Sequence, residues 1–125
     1  MLVAAGGDDL SAYNLDWLKI FNGEARAVLR PRTTAEVAAL LAHCDEQLIG
    51  VVPVGGKTGL VGGGIARNGS EIVLSLERMR DVVSFHDESA VLVCEAGCVL
   101  QDADEFLRQR GFTMPIDLAC VPQRQ

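Results

Sequence analysis

The segment of this sequence best suited to chemistry is rich in glycine. Residues 55–64 are Gly-Gly-Lys-Thr-Gly-Leu-Val-Gly-Gly-Gly and hold six of the 13 glycines in the chain. Neither a helix nor a strand interior tolerates that density, so the segment is predicted to be a loop. A backbone without Cβ atoms can approach a phosphate closely and direct several N–H groups at its oxygens. The first hypothesis is therefore phosphate binding, and a flexible connector remains the alternative.

Two well-known nucleotide-binding motifs fit this loop poorly. The P-loop motif that ends in Gly56-Lys57-Thr58 requires glycine at position 51, where the chain has Val51. That motif also leads directly into a helix, whereas here more glycines follow. The dinucleotide pattern Gly-x-Gly-x-x-Gly is absent from the segment. A P-loop NTPase is thus a minor alternative, and a Rossmann domain is not indicated.

Composition narrows the class of protein. The chain has 125 residues, 49% of them hydrophobic, which suits one globular domain. Its formal charge of −6 and its few aromatic residues argue against nucleic-acid binding, which depends on clustered cations and stacking side chains.

No apolar run approaches the roughly 18 residues of a membrane span. No targeting signal is visible, so we expect an intracellular protein.

The four cysteines are predicted to be reduced and to bind no metal. They are Cys44, Cys94, Cys98 and Cys120, and their spacing matches no paired zinc motif. Cys44 and Cys94 stand where a small buried hydrophobic residue would serve, and Cys94 and Cys98 are expected to be packing residues rather than redox partners. His43 is expected to be an exposed helix residue.

The elements around the loop follow from local pattern. A Thr-x-x-Glu capping box at residues 33–36 predicts a helix start, and an apolar stripe follows it at Val37, Leu40, Leu41 and Cys44. Residues 25–30 and 48–54 flank this helix as short strand candidates, giving the order strand, helix, strand.

The second half of the chain is predicted to contain strands and one helix. The β-rich runs 71–76, 82–85 and 90–95 are expected to be adjacent, antiparallel strands of one sheet. Residues 99–110 return to helical spacing, and Gly111 follows at a plausible C′ position. The face of this helix that we expect to be buried consists of Val99, Ala103, Phe106 and Leu107.

Several blocks resemble one flavoprotein family. Leu29–Val37 and Val51–Gly63 resemble the FAD-binding domain of the vanillyl-alcohol oxidase and para-cresol methylhydroxylase superfamily. Five further blocks are similar to the D-2-hydroxyglutarate dehydrogenase branch of the FAD-linked D-2-hydroxyacid dehydrogenases: Tyr13–Trp17, Leu74–Met79, Val83–His86, Leu92–Leu100 and Phe112–Leu118. The resemblance covers about residues 13–118.

The resemblance implies an α+β FAD-binding domain of the para-cresol methylhydroxylase type, incomplete at its C-terminal side. Residues 1–24 would form an N-terminal lead-in, residues 25–118 a partial FAD-binding domain, and residues 119–125 a divergent tail. The implied FAD pyrophosphate cradle consists of Pro53, Gly55, Gly56, Lys57, Thr58, Gly59, Leu60, Gly62 and Gly63. Glu95, Ala96, Gly97 and Val99 would lie along the cofactor, and Pro115 and Asp117 would approach the flavin. Asp117 could instead only cap a turn.

The resemblance also implies an activity. The full enzyme would oxidise a small D-2-hydroxyacid by hydride transfer to FAD, and the branch it resembles most makes D-2-hydroxyglutarate the expected substrate. It would then pass electrons to an acceptor such as an electron-transfer flavoprotein. The family's catalytic groups lie beyond residue 125, so we expect no catalytic residue in this chain and no activity from it alone. Its location would be mitochondrial in a eukaryote and cytoplasmic in a bacterium. The alternative is a noncatalytic cofactor-binding or interaction module.

Two positions and the C-terminal segment depart from the family pattern. Branch members usually carry Asn at the position of Lys57 and a longer polar residue, often Gln, at that of Val54. Lys57 could pair with a pyrophosphate oxygen, so its charge is compatible with binding. After Leu118 the family continues into a second glycine-rich segment, Gly-Ser-Cys-His-Ile-Gly-Gly-Asn, where this chain has residues 119–125 and ends.

Overall fold

The computed structural model describes residues 2–5 and 10–116, which fall into two compact units, Met1–Arg78 and Met79–Gln125. The first unit contains β1 (Leu2–Ala5), α1 (Ser11–Asn14), β2 (Ala27–Arg30), α2 (Thr34–Glu46), β3 (Val51–Val54) and β4 (Ile72–Ser75). The second contains β5 (Val82–His86), β6 (Val91–Cys94) and α3 (Leu100–Arg108). None of the helices in the described part is long and apolar enough to cross a membrane.

The first unit is built on a four-stranded sheet in the order β1-β2-β4-β3. β4 is central and pairs in parallel with both β2 and β3, so that Val73 lies opposite Val28 on one side and Val52 on the other. β1 adds to the outer edge of β2 in antiparallel fashion. All four residues of β4 are buried, as expected for a strand whose two faces are both covered. The core combines three valines of the sheet with two alanines outside its strands: Val28, Val54, Val73, Ala25 and Ala66.

The helix α2 begins where the capping box predicts. The hydroxyl of Thr33 accepts a hydrogen bond from the amide of Glu36 at 3.2 Å, and the Glu36 carboxylate in turn accepts one from the amide of Arg32 at 2.7 Å. The buried stripe is narrower than predicted: Cys44 is buried, but Leu41 is 44% exposed because it lies at the margin of the apolar face. His43 is exposed, which confirms the prediction.

The predicted single antiparallel sheet for residues 71–76, 82–85 and 90–95 is wrong. The first run forms β4, which pairs in parallel inside the four-stranded sheet, whereas β5 and β6 form a separate antiparallel pair. The burial patterns explain the difference. Every β4 residue is buried, but exposed residues alternate with half-buried ones along β6, which suits a hairpin with one face in solvent.

The second unit packs its hairpin and helix around aromatic side chains. The ring of Phe85 in β5 meets the rings of Phe106 and Phe112 edge to face, with centroids 6.4 and 5.0 Å away. Ala103 and Leu107 are buried on α3, and Phe106 is half-buried. Gly111 has φ +81°, so the predicted helix terminus is confirmed within the accuracy of such boundaries.

Candidate functional site

The glycine-rich loop begins where β3 ends. Pro53 lies in this strand, which is at the edge of the sheet, so its missing N–H costs no internal ladder bond. Val54 closes the strand and is buried in the core, although the family pattern carries a longer polar residue there. In open α/β sheets, ligands bind outside the carboxyl ends of the parallel strands. The loop therefore starts at the edge of the sheet where a ligand is expected.

Most of the loop backbone faces solvent. Gly55, Gly56, Lys57, Gly59, Leu60 and Gly63 are exposed, Thr58 is half-buried, and Gly62 is buried. A Cβ built on Gly59 or Gly63 would meet nothing within 4 Å. The amides of Gly56, Gly59 and Gly63 donate no hydrogen bond to any acceptor in the described residues. The loop thus offers backbone donors next to open space, which is the arrangement that a phosphate requires.

The loop does not continue as a P-loop would. Residues 57–71 contain no helix, so no helix N-terminus follows Lys57 and Thr58. The loop turns instead at Gly62, whose φ is +75°, and the amide of Ile65 donates to the Gly62 carbonyl at 3.2 Å. This geometry gives no support to the NTPase alternative.

Lys57 makes its contacts with the lead-in (residues 1–24). Its ammonium donates to the carbonyl of Ala12 at 2.8 Å and stands 4.6 Å from the centroid of the Tyr13 ring. Lys57 has φ +55°, a left-handed conformation that disfavours most side chains and is more easily adopted by Asn. Its proposed role as a pyrophosphate ligand stays a prediction, whereas its contact with the lead-in is a feature of the structure.

Tyr13 joins the loop to the carboxyl edge of the sheet. Its hydroxyl donates to the Glu77 carboxylate at 3.0 Å, and Glu77 also forms an ion pair with Arg30, the last residue of β2. Burial raises the pKa of Tyr13, and the hydrogen bond to Glu77 raises it further, so the phenol keeps its proton at neutral pH. Tyr13 therefore acts as a hydrogen-bond donor here and not as a base.

Hydrogen bonds fix the lead-in both within itself and to the segment that follows the loop. Asn14 accepts hydrogen bonds from the amides of Gly23 and Ala25, at 2.7 Å through its backbone carbonyl and at 2.9 Å through its side chain. Glu24 donates its amide to the carbonyl of Ala66 at 2.8 Å. A Cβ at Gly23 would overlap that same carbonyl, so only glycine fits this close approach.

A buried carboxylate lies under the loop. Asp16 is 7% exposed, and one of its oxygens accepts from the amide of Phe21 at 2.8 Å. The other oxygen has no hydrogen-bond partner in the described residues. Asp16 also lines a cavity of about 30 Å³, together with Lys57 and Gly59 among other residues. Sequence reasoning assigned Asn14 and Asp16 no role. The sequence did contain a signal, because Asn14 and Asp16 are polar residues that flank Leu15 in an otherwise largely apolar stretch.

The predicted site residues of the second unit form a tight turn after β6. The amide of Cys98 donates to the Glu95 carbonyl at 3.0 Å, and the amide of Gly97 donates to the carbonyl of Met79 at 2.8 Å. The Glu95 carboxylate accepts from the amide of Asp81 at 2.9 Å, so it is engaged within this unit. Ala96 is exposed and Val99 is half-buried. These contacts give Glu95 a structural role in addition to its proposed one.

A large cavity of about 720 Å³ lies between the hairpin and α3, and Pro115 is among its lining residues. The carboxylate of Asp104 fixes the segment that follows the helix, because it accepts from the amide of Met114 at 2.8 Å and from the hydroxyl of Thr113 at 3.0 Å. The hydrogen bond from Arg108, followed by that from Met114, lowers the pKa of Asp104. Asp117 lies outside the described residues.

Cys94 and Cys98 both line this cavity. Cys94 is half-buried and not fully buried as predicted, because it ends an edge strand of a two-stranded sheet with one face exposed. Burial, followed by the neighbouring thiol of Cys94, raises the pKa of Cys98 to about 11. Such a thiol is a poor nucleophile at neutral pH. The described residues contain no cluster of three or more His, Cys, Asp or Glu that could hold a metal ion.

Comparison with known proteins identifies the family. Residues 25–124 match the model of the FAD binding domain family. Among curated relatives, the mitochondrial D-2-hydroxyglutarate dehydrogenases of Bos taurus and Danio rerio are 49% and 44% identical over 111 residues, which are 89% of this chain. A putative mitochondrial D-lactate dehydrogenase of Schizosaccharomyces pombe is 40% identical over 110 residues, or 88% of this chain. The chain spans only 20–21% of the length of these three relatives.

Solved flavoenzyme structures share the fold. The chain superimposes on 6-hydroxy-D-nicotine oxidase from Arthrobacter nicotinovorans with a TM-score of 0.72 and 17% identity, covering 88% of this chain and 24% of that one. For alkyldihydroxyacetonephosphate synthase the TM-score is 0.70 at 16% identity, with 82% and 19% covered. The predicted α+β fold of the para-cresol methylhydroxylase type is thereby confirmed. The chain belongs to the FAD binding domain family.

Proposed function

We propose that this chain is the pyrophosphate-binding part of an FAD-dependent D-2-hydroxyacid dehydrogenase. The observation that carries the proposal is the exposed glycine-rich loop, where the amides of Gly56, Gly59 and Gly63 donate no hydrogen bond to any acceptor in the described residues and a Cβ at Gly59 or Gly63 would meet nothing within 4 Å. The FAD diphosphate presents only acceptor oxygens, so it complements such a row of donors. The family match over residues 25–124 supports the identity of the cofactor.

The residues of this chain would bind and orient FAD without taking part in the chemistry. FAD, when bound, supplies the acceptor for the hydride that leaves the substrate's C2. The loop amides would stabilise the charged diphosphate by donating hydrogen bonds to its oxygens, and Gly59 would permit its close approach because no side chain stands there. Glu95, Ala96, Gly97 and Val99 would lie along the cofactor, and Pro115 and Asp117 would approach the flavin. No residue of the chain is proposed to be catalytic.

The substrate class follows from the relatives. Two of them act on D-2-hydroxyglutarate by name and one on D-lactate, so we propose a small D-2-hydroxyacid, with D-2-hydroxyglutarate favoured by the 49% identity to the bovine protein. Electrons would pass from the flavin to an acceptor such as an electron-transfer flavoprotein. A mitochondrial location is proposed for a eukaryotic source, since these relatives are mitochondrial.

A segment exchange tests this proposal. The matching 111 residues of the bovine dehydrogenase would be replaced by those of this chain, and the purified chimera would be assayed for bound flavin and for dye reduction with D-2-hydroxyglutarate. We expect the chimera to retain FAD and to oxidise the substrate. The matched control carries Gly59→Val in the exchanged segment and should lose flavin. A folded chimera without flavin would contradict the proposal, and turnover of D-2-hydroxyacids by the 125-residue chain alone would contradict the absence of catalytic residues.

A further inference from the structure

We propose that Lys57 is a positioning residue, which fastens the glycine-rich loop to the lead-in and so holds the loop amides ready for a phosphate. This inference rests on the proposed function, because it assigns a purpose to the geometry of the pyrophosphate cradle. It differs from a direct role for Lys57 as a phosphate ligand. A positioning role and a direct phosphate contact predict different results in the experiments described below.

The contacts of Lys57 carry the inference. Its ammonium donates to the Ala12 carbonyl at 2.8 Å and stands 4.6 Å from the centroid of the Tyr13 ring. Ala12 and Lys57 are 45 positions apart in sequence, so this bond connects the loop to a segment that is distant along the chain. A cation that bonds a carbonyl and also faces an aromatic ring makes two favourable contacts with one side chain. We call this pair of contacts the lysine latch.

The latch is anchored at its other end. Tyr13 packs against the core of the first unit, and its hydroxyl donates to Glu77, which follows β4 by two positions. The ring that receives the Lys57 ammonium is therefore held by the sheet. A loop fastened to such an anchor samples fewer conformations, which lowers the entropic cost of binding.

The backbone of Lys57 gives a second reason to assign the side chain a role. Lys57 adopts φ +55° at an exposed loop position, where glycine would be free of strain and Asn would be better tolerated. Strained residues of this kind persist when surrounding contacts hold them, and they concentrate at ligand-binding sites. The latch supplies such contacts.

Lys19 provides a matched control. It is also an exposed lysine of the first unit with positive φ, +57°, but it lies in the lead-in and outside the loop. Lys57→Met and Lys19→Met remove the same ammonium, leave a side chain of similar length, and act on the same backbone conformation. Any general effect of losing a lysine, or of placing Met in a left-handed backbone conformation, should be common to both variants.

The test is nitrogen-15 NMR relaxation of the backbone of residues 55–64 in the 125-residue chain without any ligand, which measures how rigid an amide is even when it donates no hydrogen bond. We expect Lys57→Met to lower the order parameters of this segment from about 0.8 to about 0.6 or less, because the loop loses its attachment to the lead-in. Lys19→Met should leave these order parameters unchanged. Equal order parameters in the wild type and in Lys57→Met would overturn the proposal. Lys57→Arg should restore the high order parameters, because the guanidinium also donates to a carbonyl and stacks on a ring.

Two Tyr13 variants address the case in which Lys57→Met fails to fold. Tyr13→Phe keeps the ring and loses the bond to Glu77, whereas Tyr13→Leu removes the ring. The order parameters of the loop should fall more in Tyr13→Leu than in Tyr13→Phe. The reverse order would count against the latch.

Salt dependence separates the latch from direct ligation. FAD affinity would be measured for the wild type and for Lys57→Met at 50 and 200 mM salt. The latch predicts the same fold-loss in Lys57→Met at both concentrations, and a direct bond to the pyrophosphate predicts a loss that shrinks at higher salt. If the chain binds no FAD at all, the proposed function fails, while the relaxation experiment without ligand still decides whether the latch exists.

Discussion

The aromatic ring of Phe21 lies against Gly62. A Cβ built on Gly62 would be 3.2 Å from the ring, and Gly62 has φ +75°. The lead-in thus touches the glycine-rich loop where the loop turns back toward the sheet. At this position glycine serves the protein fold, whereas at Gly59, which has open space around it, glycine is available for a ligand.

The first prediction concerns Gly62. Gly62→Ala should lower the free energy of unfolding by about 1–2 kcal/mol, because a left-handed backbone is costly for alanine and the Phe21 ring must shift. Urea denaturation monitored by circular dichroism would measure this. Gly63→Ala is the control, since its Cβ has open space and the backbone there does not have positive φ. Equal stability of the two variants would contradict the argument.

The second prediction concerns Gly59. Gly59→Val should leave the unfolding midpoint nearly unchanged, since a Cβ there meets nothing within 4 Å, but should abolish flavin retention in the chimeric dehydrogenase. Gly59→Ala should lose less FAD affinity than Gly59→Val, because the steric block is smaller. The flavin absorbance of the purified variants would measure retention. A normal flavin content in Gly59→Val would refute a close approach of phosphate at this position.

The third prediction concerns Cys98. Its pKa of about 11 means that at pH 8 its thiolate fraction is roughly 100- to 250-fold smaller than that of an ordinary cysteine. We expect iodoacetamide to modify Cys98 correspondingly slowly, with a rate that rises about tenfold per pH unit up to the pKa. Peptide mass spectrometry would give the rate, and Cys94→Ala should increase it, because it removes the neighbouring thiol. Fast labelling at pH 7 would contradict the raised pKa.

The fourth prediction concerns pH. The pKa of Asp104 is lowered in the folded chain, first by Arg108, so its contribution to stability is present above the unfolded pKa and is lost as pH falls through the folded pKa. Protonation of Asp104 should therefore loosen residues 112–116 below about pH 4. Hydrogen exchange at the Met114 amide, corrected for the intrinsic rate, should rise on acidification. In Asp104→Asn this acid-dependent rise should be absent.

Local features of the fold could be predicted from the sequence. The capping bond between Thr33 and Glu36 and the loop after Val54 both depend on residues close in sequence. The parallel pairing of β4 could not be predicted, because Val73 finds its partners Val28 and Val52 far away along the chain. Its uninterrupted apolar run was nevertheless a sign of a doubly covered strand.

The lead-in contacts were also beyond sequence reasoning. The Lys57 ammonium and the Ala12 carbonyl meet only after the sheet has brought their segments together, and a carbonyl acceptor has no signature in sequence. The glycines of the loop looked equivalent in sequence. The structure separates them, because Gly62 is enclosed and has positive φ, whereas Gly59 and Gly63 stand in the open.

The most direct test of the central claim is a comparison of three ligands on the 125-residue chain. Nuclear magnetic resonance titrations with FAD, ADP and riboflavin would follow the amides of Gly56, Gly59 and Gly63. If the loop binds the diphosphate, FAD and ADP should shift these amides with similar dissociation constants, roughly 10 μM to 1 mM for one loop acting without the rest of the enzyme. Riboflavin, which has no phosphate, should not shift them. Riboflavin binding equal to that of FAD, or no response of these amides to FAD and ADP, would contradict the account.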